Sequence, residues 1–80
     1  MSKQLIVGVA STVRRLRKER GLSQEELAER ASLDRTYISG IERGVRNITL
    51  ESLEFLILGL DMNIVDFLRE LETIFENNVD

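Results

Sequence analysis

The feature that most limits what this chain can fold into is a series of helix-start and helix-stop residues at short intervals, with no proline anywhere. Ser23, followed three residues later by Glu26, has the spacing of a capping box, and Asp34 is a typical N-cap residue. Gly21 and Gly44 stand where helices would end. These signals predict short helices joined by tight turns.

Apolar residues recur every three or four positions between these signals, and no segment alternates with the period of a strand. The pattern predicts an all-α fold with five helices, at about residues 6–20, 23–31, 35–43, 49–59 and 63–75. No linker or internal repeat interrupts the sequence, so residues 1–80 are predicted to be a single domain.

The available residue types exclude most catalytic and metal chemistry. The chain has no cysteine and no histidine, which removes thiolate and imidazole ligands and the commonest general base. Carboxylate pairs such as Glu25 and Glu29 remain, but they lie on a solvated helix face with no pocket implied. We therefore expect no enzyme activity, no metal and no cofactor.

The sequence also predicts where the protein acts. No apolar run approaches the roughly 20 residues of a membrane span, and the basic and apolar regions of a signal peptide are not evident. A soluble cytoplasmic protein without membrane contact is expected.

Charge is divided unevenly along the chain. Residues 1–48 hold ten Lys or Arg and six Asp or Glu, a net charge of +4, whereas residues 49–80 hold one Arg and eight acids, a net charge of −7. The overall charge of −3 therefore hides a basic half that could meet phosphates and an acidic half that would stay away from them.

The third predicted helix has two different faces. At about 100° per residue, Tyr37, Ile38 and Ile41 share one arc, and donor side chains share the opposite arc. These donors are Arg35, Thr36, Ser39 and Arg43. Only residues 32–34 separate this helix from the second, which is the spacing of a helix-turn-helix at about 23–43. Without that spacing, the donors would be read as an ordinary solvated face.

The segment GLSQEELAERASLDRTYISGIERG resembles the Cro and phage-repressor-like helix-turn-helix family. It has Leu-Ser-Gln at its start, Leu-Ala in the second helix and Ile-Ser-x-Ile-Glu-x-Gly in the third. The likeness covers residues 9 to about 68. It implies a lambda-repressor-like DNA-binding domain whose third helix enters a major groove.

Within that family, the stretch LDRTYISGIERGVRNITLESLE in a chain of 80 residues is similar to the controller proteins of restriction-modification systems. That resemblance implies a bacterial homodimeric regulator that binds paired palindromic boxes upstream of its own gene and the endonuclease gene. Two dimers could then share one operator, activating at low occupancy and repressing at high occupancy. The alternative is a phage- or plasmid-type repressor, or an antitoxin-like regulator, of the same fold.

The candidate DNA contacts divide into base readers and backbone contacts. Arg35 is best placed to bind guanine O6 and N7, and Thr36 and Ser39 are predicted to touch base edges. Gln24 is either a surface helix former or, as the resemblance implies, a phosphate contact at a helix N-terminus. Tyr37 is either a core residue or one whose hydroxyl reaches a phosphate. The other predicted backbone contacts, which could instead form a solvated turn, are Arg43, Arg46, Asn47, Thr49 and Ser52.

Two further predictions concern acidic side chains. The family likeness pairs Glu42 with Arg17 in a partly buried salt bridge that would fix the recognition helix to the first helix. Glu25, Glu26 and Glu29 form an acidic face that could contact RNA polymerase. A protein-binding module is the competing interpretation of that face.

The C-terminal part carries more apolar side chains than one small core can absorb, because its last helix is apolar over a wide arc. We therefore predict a dimerisation region at about residues 49–77, which would leave two recognition helices about 34 Å apart on a palindrome. The predicted interface consists of Phe55, Leu58, Ile64, Val65, Leu68, Leu71 and Phe75. In the alternative, these side chains complete the core of a monomer.

Overall fold

The computed structural model describes residues 3–76, so residue 77 of the predicted dimerisation region lies outside the described residues. The helices are α1 (Gln4–Glu19), α2 (Gln24–Ala31), α3 (Arg35–Glu42), α4 (Leu50–Gly59) and α5 (Ile64–Glu76). The predicted all-α class is confirmed, and each helix begins and ends within two residues of its predicted position. None of these helices is long and apolar enough to cross a membrane.

Side-chain caps explain where four of the helices start. The Ser23 hydroxyl accepts the Glu26 backbone N–H at 3.0 Å, and the Glu26 carboxylate accepts the Ser23 backbone N–H at 2.8 Å. Asp34, Thr49 and Asn63 cap α3, α4 and α5 through side-chain oxygens 2.7–3.0 Å from backbone nitrogens. These bonds satisfy donors that a helix N-terminus otherwise leaves unpaired.

Four helix ends use a residue with left-handed backbone geometry. Gly21 and Gly44, the predicted stop residues, have φ values of 67° and 72°. Ser32 and Asp61 adopt the same region with φ values of 57° and 60°, although neither is a glycine. A left-handed conformation costs an L-residue roughly 1–2 kcal/mol, so these two ends are held by their surroundings.

The helices pack so that α3 is fixed by two others. It contacts α1 and α2, while α5 contacts α1 and α4. Gly59 of α4 lies so close to Ala31 of α2 that a Cβ at residue 59 would be 3.2 Å from the Ala31 side chain. The fully buried apolar side chains at the centre are Val13, Leu27, Ile38, Leu56, Leu60 and Phe67.

Two residues predicted to form a dimer interface pack inside the chain, Leu71 as part of the core and Phe75 partly buried against it. Leu71 is 8% exposed, and the Phe75 ring lies against Gly8 of α1, where a Cβ would be 2.8 Å from the ring. The physical reason is that α5 buries part of its wide apolar arc against α1 in the same chain. The other five predicted interface residues are exposed: Phe55, Leu58, Ile64, Val65 and Leu68.

Candidate nucleic-acid interface

The helix α3 turns its donor side chains outward. Arg35 and Thr36 are exposed and Ser39 is half-buried, whereas Ile38 and Ile41 on the opposite face are 0% and 2% exposed. The three predicted base readers line one shallow depression of about 200 Å³ together with Gln24 of α2. The structure thus brings these four predicted contacts together on one surface.

The first turn of α3 is held in place by Asp34. Its carboxylate accepts the Thr36 backbone N–H at 2.7 Å. This hydrogen bond, with a smaller contribution from the positive charge of Arg46, lowers the pKa of the Asp34 carboxyl below its ordinary value. The carboxylate is therefore charged at neutral pH and keeps the end of α3 that carries Arg35 in a defined position.

A buried ion pair fixes the other end of α3 to α1. Arg17 Nε and Nη2 donate to the Glu42 carboxylate at 2.7 and 3.0 Å, and Arg17 Nη1 donates to the Leu22 carbonyl at 2.7 Å. The side chains of Arg17 and Glu42 are only 10% and 3% exposed, and their hydrogen bonds raise the pKa of the Arg17 guanidinium. The pair implied by the family likeness is present, with every guanidinium nitrogen hydrogen-bonded.

Gln24 connects this ion pair to the exposed depression. Its Nε2 donates to Glu42 Oε1 at 3.1 Å, which leaves a second amide hydrogen and the amide oxygen for other partners. Sequence reasoning missed this bond because residues 18 positions apart give no local signal. A phosphate contact through Gln24 stays a prediction. The hydrogen bond to Glu42 orients the Gln24 side chain that would make it.

Tyr37 and Arg46 pack against each other on the side of α3. The Arg46 guanidinium carbon lies 5.5 Å from the centre of the Tyr37 ring, within cation–π distance. The Arg46 stem crosses Gly40, where a Cβ would be 2.6 Å from Arg46 Cγ, and this contact explains a glycine inside a helix. The Tyr37 ring packs on the core, and its hydroxyl has no hydrogen-bond partner within residues 3–76.

The remaining predicted backbone contacts differ in how free they are. Arg43 and Asn47 are exposed, and Arg43 Nε donates only to the Ser39 carbonyl at 3.3 Å. Thr49 Oγ1 accepts the Ser52 backbone N–H and donates to Ser52 Oγ, both at 3.0 Å. The Thr49 hydroxyl is therefore engaged in the cap of α4, whereas the Ser52 hydroxyl keeps its own hydrogen and Arg43 and Asn47 are exposed.

The chain is similar in sequence to a known protein family. A helix-turn-helix family model matches residues 13–67. The control protein C.MunI of a Mycoplasma species is 43% identical over 61 residues, which are 75% of this chain and 82% of that protein.

The chain is also similar to solved structures of a restriction-modification controller protein. The wild-type restriction-modification controller protein C.Esp1396I has a TM-score of 0.90 at 42% identity, with 92% of this chain and 96% of that chain covered. The same controller as a tetramer with its natural 35 base-pair operator has a TM-score of 0.84 at 45% identity, with 86% and 91% covered. This chain belongs to the helix-turn-helix family and, within it, to the restriction-modification controller proteins.

Proposed function

We propose that this protein is a sequence-specific DNA-binding regulator of transcription in a bacterial restriction-modification system, acting in the cytoplasm by binding and not by catalysis. The observation that carries the proposal is that the row of Arg35, Thr36 and Ser39 lines one surface depression beside Gln24. Because the opposite face of α3 is buried, this row can enter a major groove without first ordering its backbone. The operator complex of C.Esp1396I supports the same assignment.

The proposed contacts have different tasks. Arg35 would bind a guanine through two hydrogen bonds, and Thr36 and Ser39 would touch neighbouring base edges. Gln24, Arg43 and the Tyr37 hydroxyl would hold phosphates, which position the helix without reading sequence. The turn and the start of α4 would complete the backbone contacts through Arg46, Asn47, Thr49 and Ser52.

We propose that the protein acts as a homodimer on a palindromic operator, with a second dimer binding at higher occupancy. The exposed apolar side chains of α4 and α5 would form the two-fold interface. Dimer occupancy would then decide between activation and repression of its own gene and the endonuclease gene.

The acidic face of α2 is the proposed contact for RNA polymerase. Glu25, Glu26 and Glu29 are all exposed. The Glu26 carboxylate is engaged in the capping box, so Glu25 and Glu29 would make the main contacts.

The direct test of sequence-specific binding is Arg35→Ala. Because a bidentate contact to one guanine would be lost, operator binding should weaken by about 1–3 kcal/mol with relaxed preference at one base pair, and random duplex should be affected much less. Gel mobility shift with the chain's own upstream region and a random duplex measures both. Arg30→Ala, which removes an exposed cation of α2, is the control. Equal losses of Arg35→Ala on both duplexes would mean that Arg35 only holds phosphate.

A further inference from the structure

The basic residues at the end of α1 fall into two groups. Arg15, Arg17 and Arg20 are used by the fold, since each donates to a carboxylate or a carbonyl of another element. Arg14 and Lys18 are exposed, and their side chains have no hydrogen-bond or ion-pair partner within residues 3–76. These two cations stand one helical turn apart, and like charges at that spacing disfavour a helix. The fold therefore does not account for them.

Arg14 and Lys18 line one cleft between α1 and the end of α3, with a volume of about 410 Å³. Arg43 lines the same cleft and has no acidic partner among the described residues. The acid in the cleft wall, Glu42, is neutralised by its ion pair with Arg17. The cleft thus presents three cations without a bound counter-charge.

The position of the cleft indicates which anion it fits. Arg43 lines the cleft and directly follows α3, and its Nε donates to the carbonyl of Ser39, one of the predicted base readers, at 3.3 Å. The cleft therefore continues the surface of the predicted base readers beyond the end of the recognition helix. A duplex that holds α3 in its major groove would bring the phosphates bordering that groove toward this side of the protein.

We propose that this cleft binds phosphates of the duplex beside the recognised bases, with Arg14 and Lys18 as backbone contacts outside the helix-turn-helix. The inference rests on the proposed function. An arginine fork can bind two phosphate oxygens and a lysine acts as a point charge, so the pair suits a phosphate chain. An acidic protein segment would also satisfy three cations, but the continuity with the donor face of α3 favours DNA.

The test is the double variant Arg14→Gln/Lys18→Gln. Arg30→Gln/Arg69→Gln is the matched control, because it removes the same net charge from exposed positions on α2 and α5. Binding to the operator and to random duplex is measured over a series of salt concentrations. Each lost phosphate contact should make the slope of log K against log salt shallower by about 0.9, so by about 1.8 per protomer. Both duplexes should lose affinity by a similar factor, while the control keeps the wild-type slope.

Four outcomes would overturn the inference, and the last of them also contradicts the proposed function on which it rests. An unchanged slope in the double variant, with wild-type binding intact, contradicts the cleft but leaves the proposed function standing. A control that loses as much as the double variant means that net charge and not this site is responsible. Unchanged DNA binding with lost binding of a polyglutamate probe would assign the cleft to an acidic protein partner. Failure of the wild type to bind any duplex contradicts the proposed function itself.

Discussion

At the scale of single residues, a buried ion pair positions the side chains of the candidate interface. Arg17 and Glu42 neutralise each other, and Gln24 donates to the same carboxylate. The family likeness was needed to pair Arg17 with Glu42, because residues 25 positions apart are brought together only by helix packing. The exposed row on α3 needed no such help, since the helical period alone separates it from Ile38 and Ile41.

Loss of one member of the buried pair should be costly. Glu42→Ala leaves the Arg17 guanidinium buried without its counter-charge, so the free energy of unfolding should fall by about 3 kcal/mol. Arg17→Met/Glu42→Met should recover much of that loss, because no unpaired charge remains. Urea unfolding of Arg17→Met, Glu42→Met and the double variant measures the coupling. Strictly additive losses would contradict the pair as a coupled unit.

At the scale of the helices, most boundaries follow from residues that the sequence displays. Caps, glycine stops and the recurrence of apolar residues together predicted the bounds of α1 to α5 to within two residues. The left-handed ends at Ser32 and Asp61 were not predictable, because neither residue is a glycine. In the structure, the backbone N–H of the residue after each of them closes the end by donating to a carbonyl five residues back. The contact between Gly8 and the Phe75 ring was not predictable either, because it depends on where α5 packs.

The caps make helix stability dependent on pH in the acid range. Hydrogen bonds from the Ser23 and Thr36 backbone N–H groups lower the pKa of Glu26 and Asp34 below their ordinary values of 4.5 and 3.8. A lowered folded-state pKa gives stabilisation that is present above the unfolded value and is lost as the pH falls through the folded value. The melting temperature of the wild type should therefore drop below about pH 4 more steeply than that of Asp34→Asn, whose cap does not titrate. Parallel melting curves against pH would contradict a role for the Asp34 charge.

The end of α4 can be improved by one substitution. Asp61 has a φ of 60°, so Asp61→Gly removes the left-handed penalty and should raise the free energy of unfolding by about 1 kcal/mol. Gly21→Ala, at a φ of 67°, is the opposite change and should lower it by a similar amount. Chemical denaturation of both variants beside the wild type measures the difference. A destabilised Asp61→Gly would mean that the Asp61 side chain supports the turn.

At the scale of the whole molecule, the surplus of apolar side chains in the C-terminal part was predictable. Which of them enter the core and which stay exposed was not. A helix that is apolar over a wide arc does not reveal which side meets its own chain. The structure gives Leu71 and Phe75 to the core and leaves Leu58 and Val65 exposed.

The proposed dimer can therefore be tested without damaging the core. Leu58→Asp and Val65→Asp change exposed side chains, so each should stay helical and become monomeric, with operator binding reduced. Leu71→Asp should unfold, because it buries a charge that has no counter-ion. Sedimentation at micromolar concentration and circular dichroism separate the two effects. A monomeric wild type that binds the palindrome with full affinity and no cooperativity would contradict the dimer.

The placement of α3 and α5 on different sides of α1 affects how the protein approaches DNA before any contact forms. Ala10 of α1 approaches Gly44, just after α3, while Gly8 of α1 approaches Phe75 of α5. The helix α5 carries four acids and one cation. A polyanion that approaches such a molecule exerts a torque on it, because it attracts the basic recognition side and repels the acidic helix α5. The protein would then meet DNA with α3 already facing the duplex. The fraction of collisions that lead to binding would fall as added salt weakens the torque.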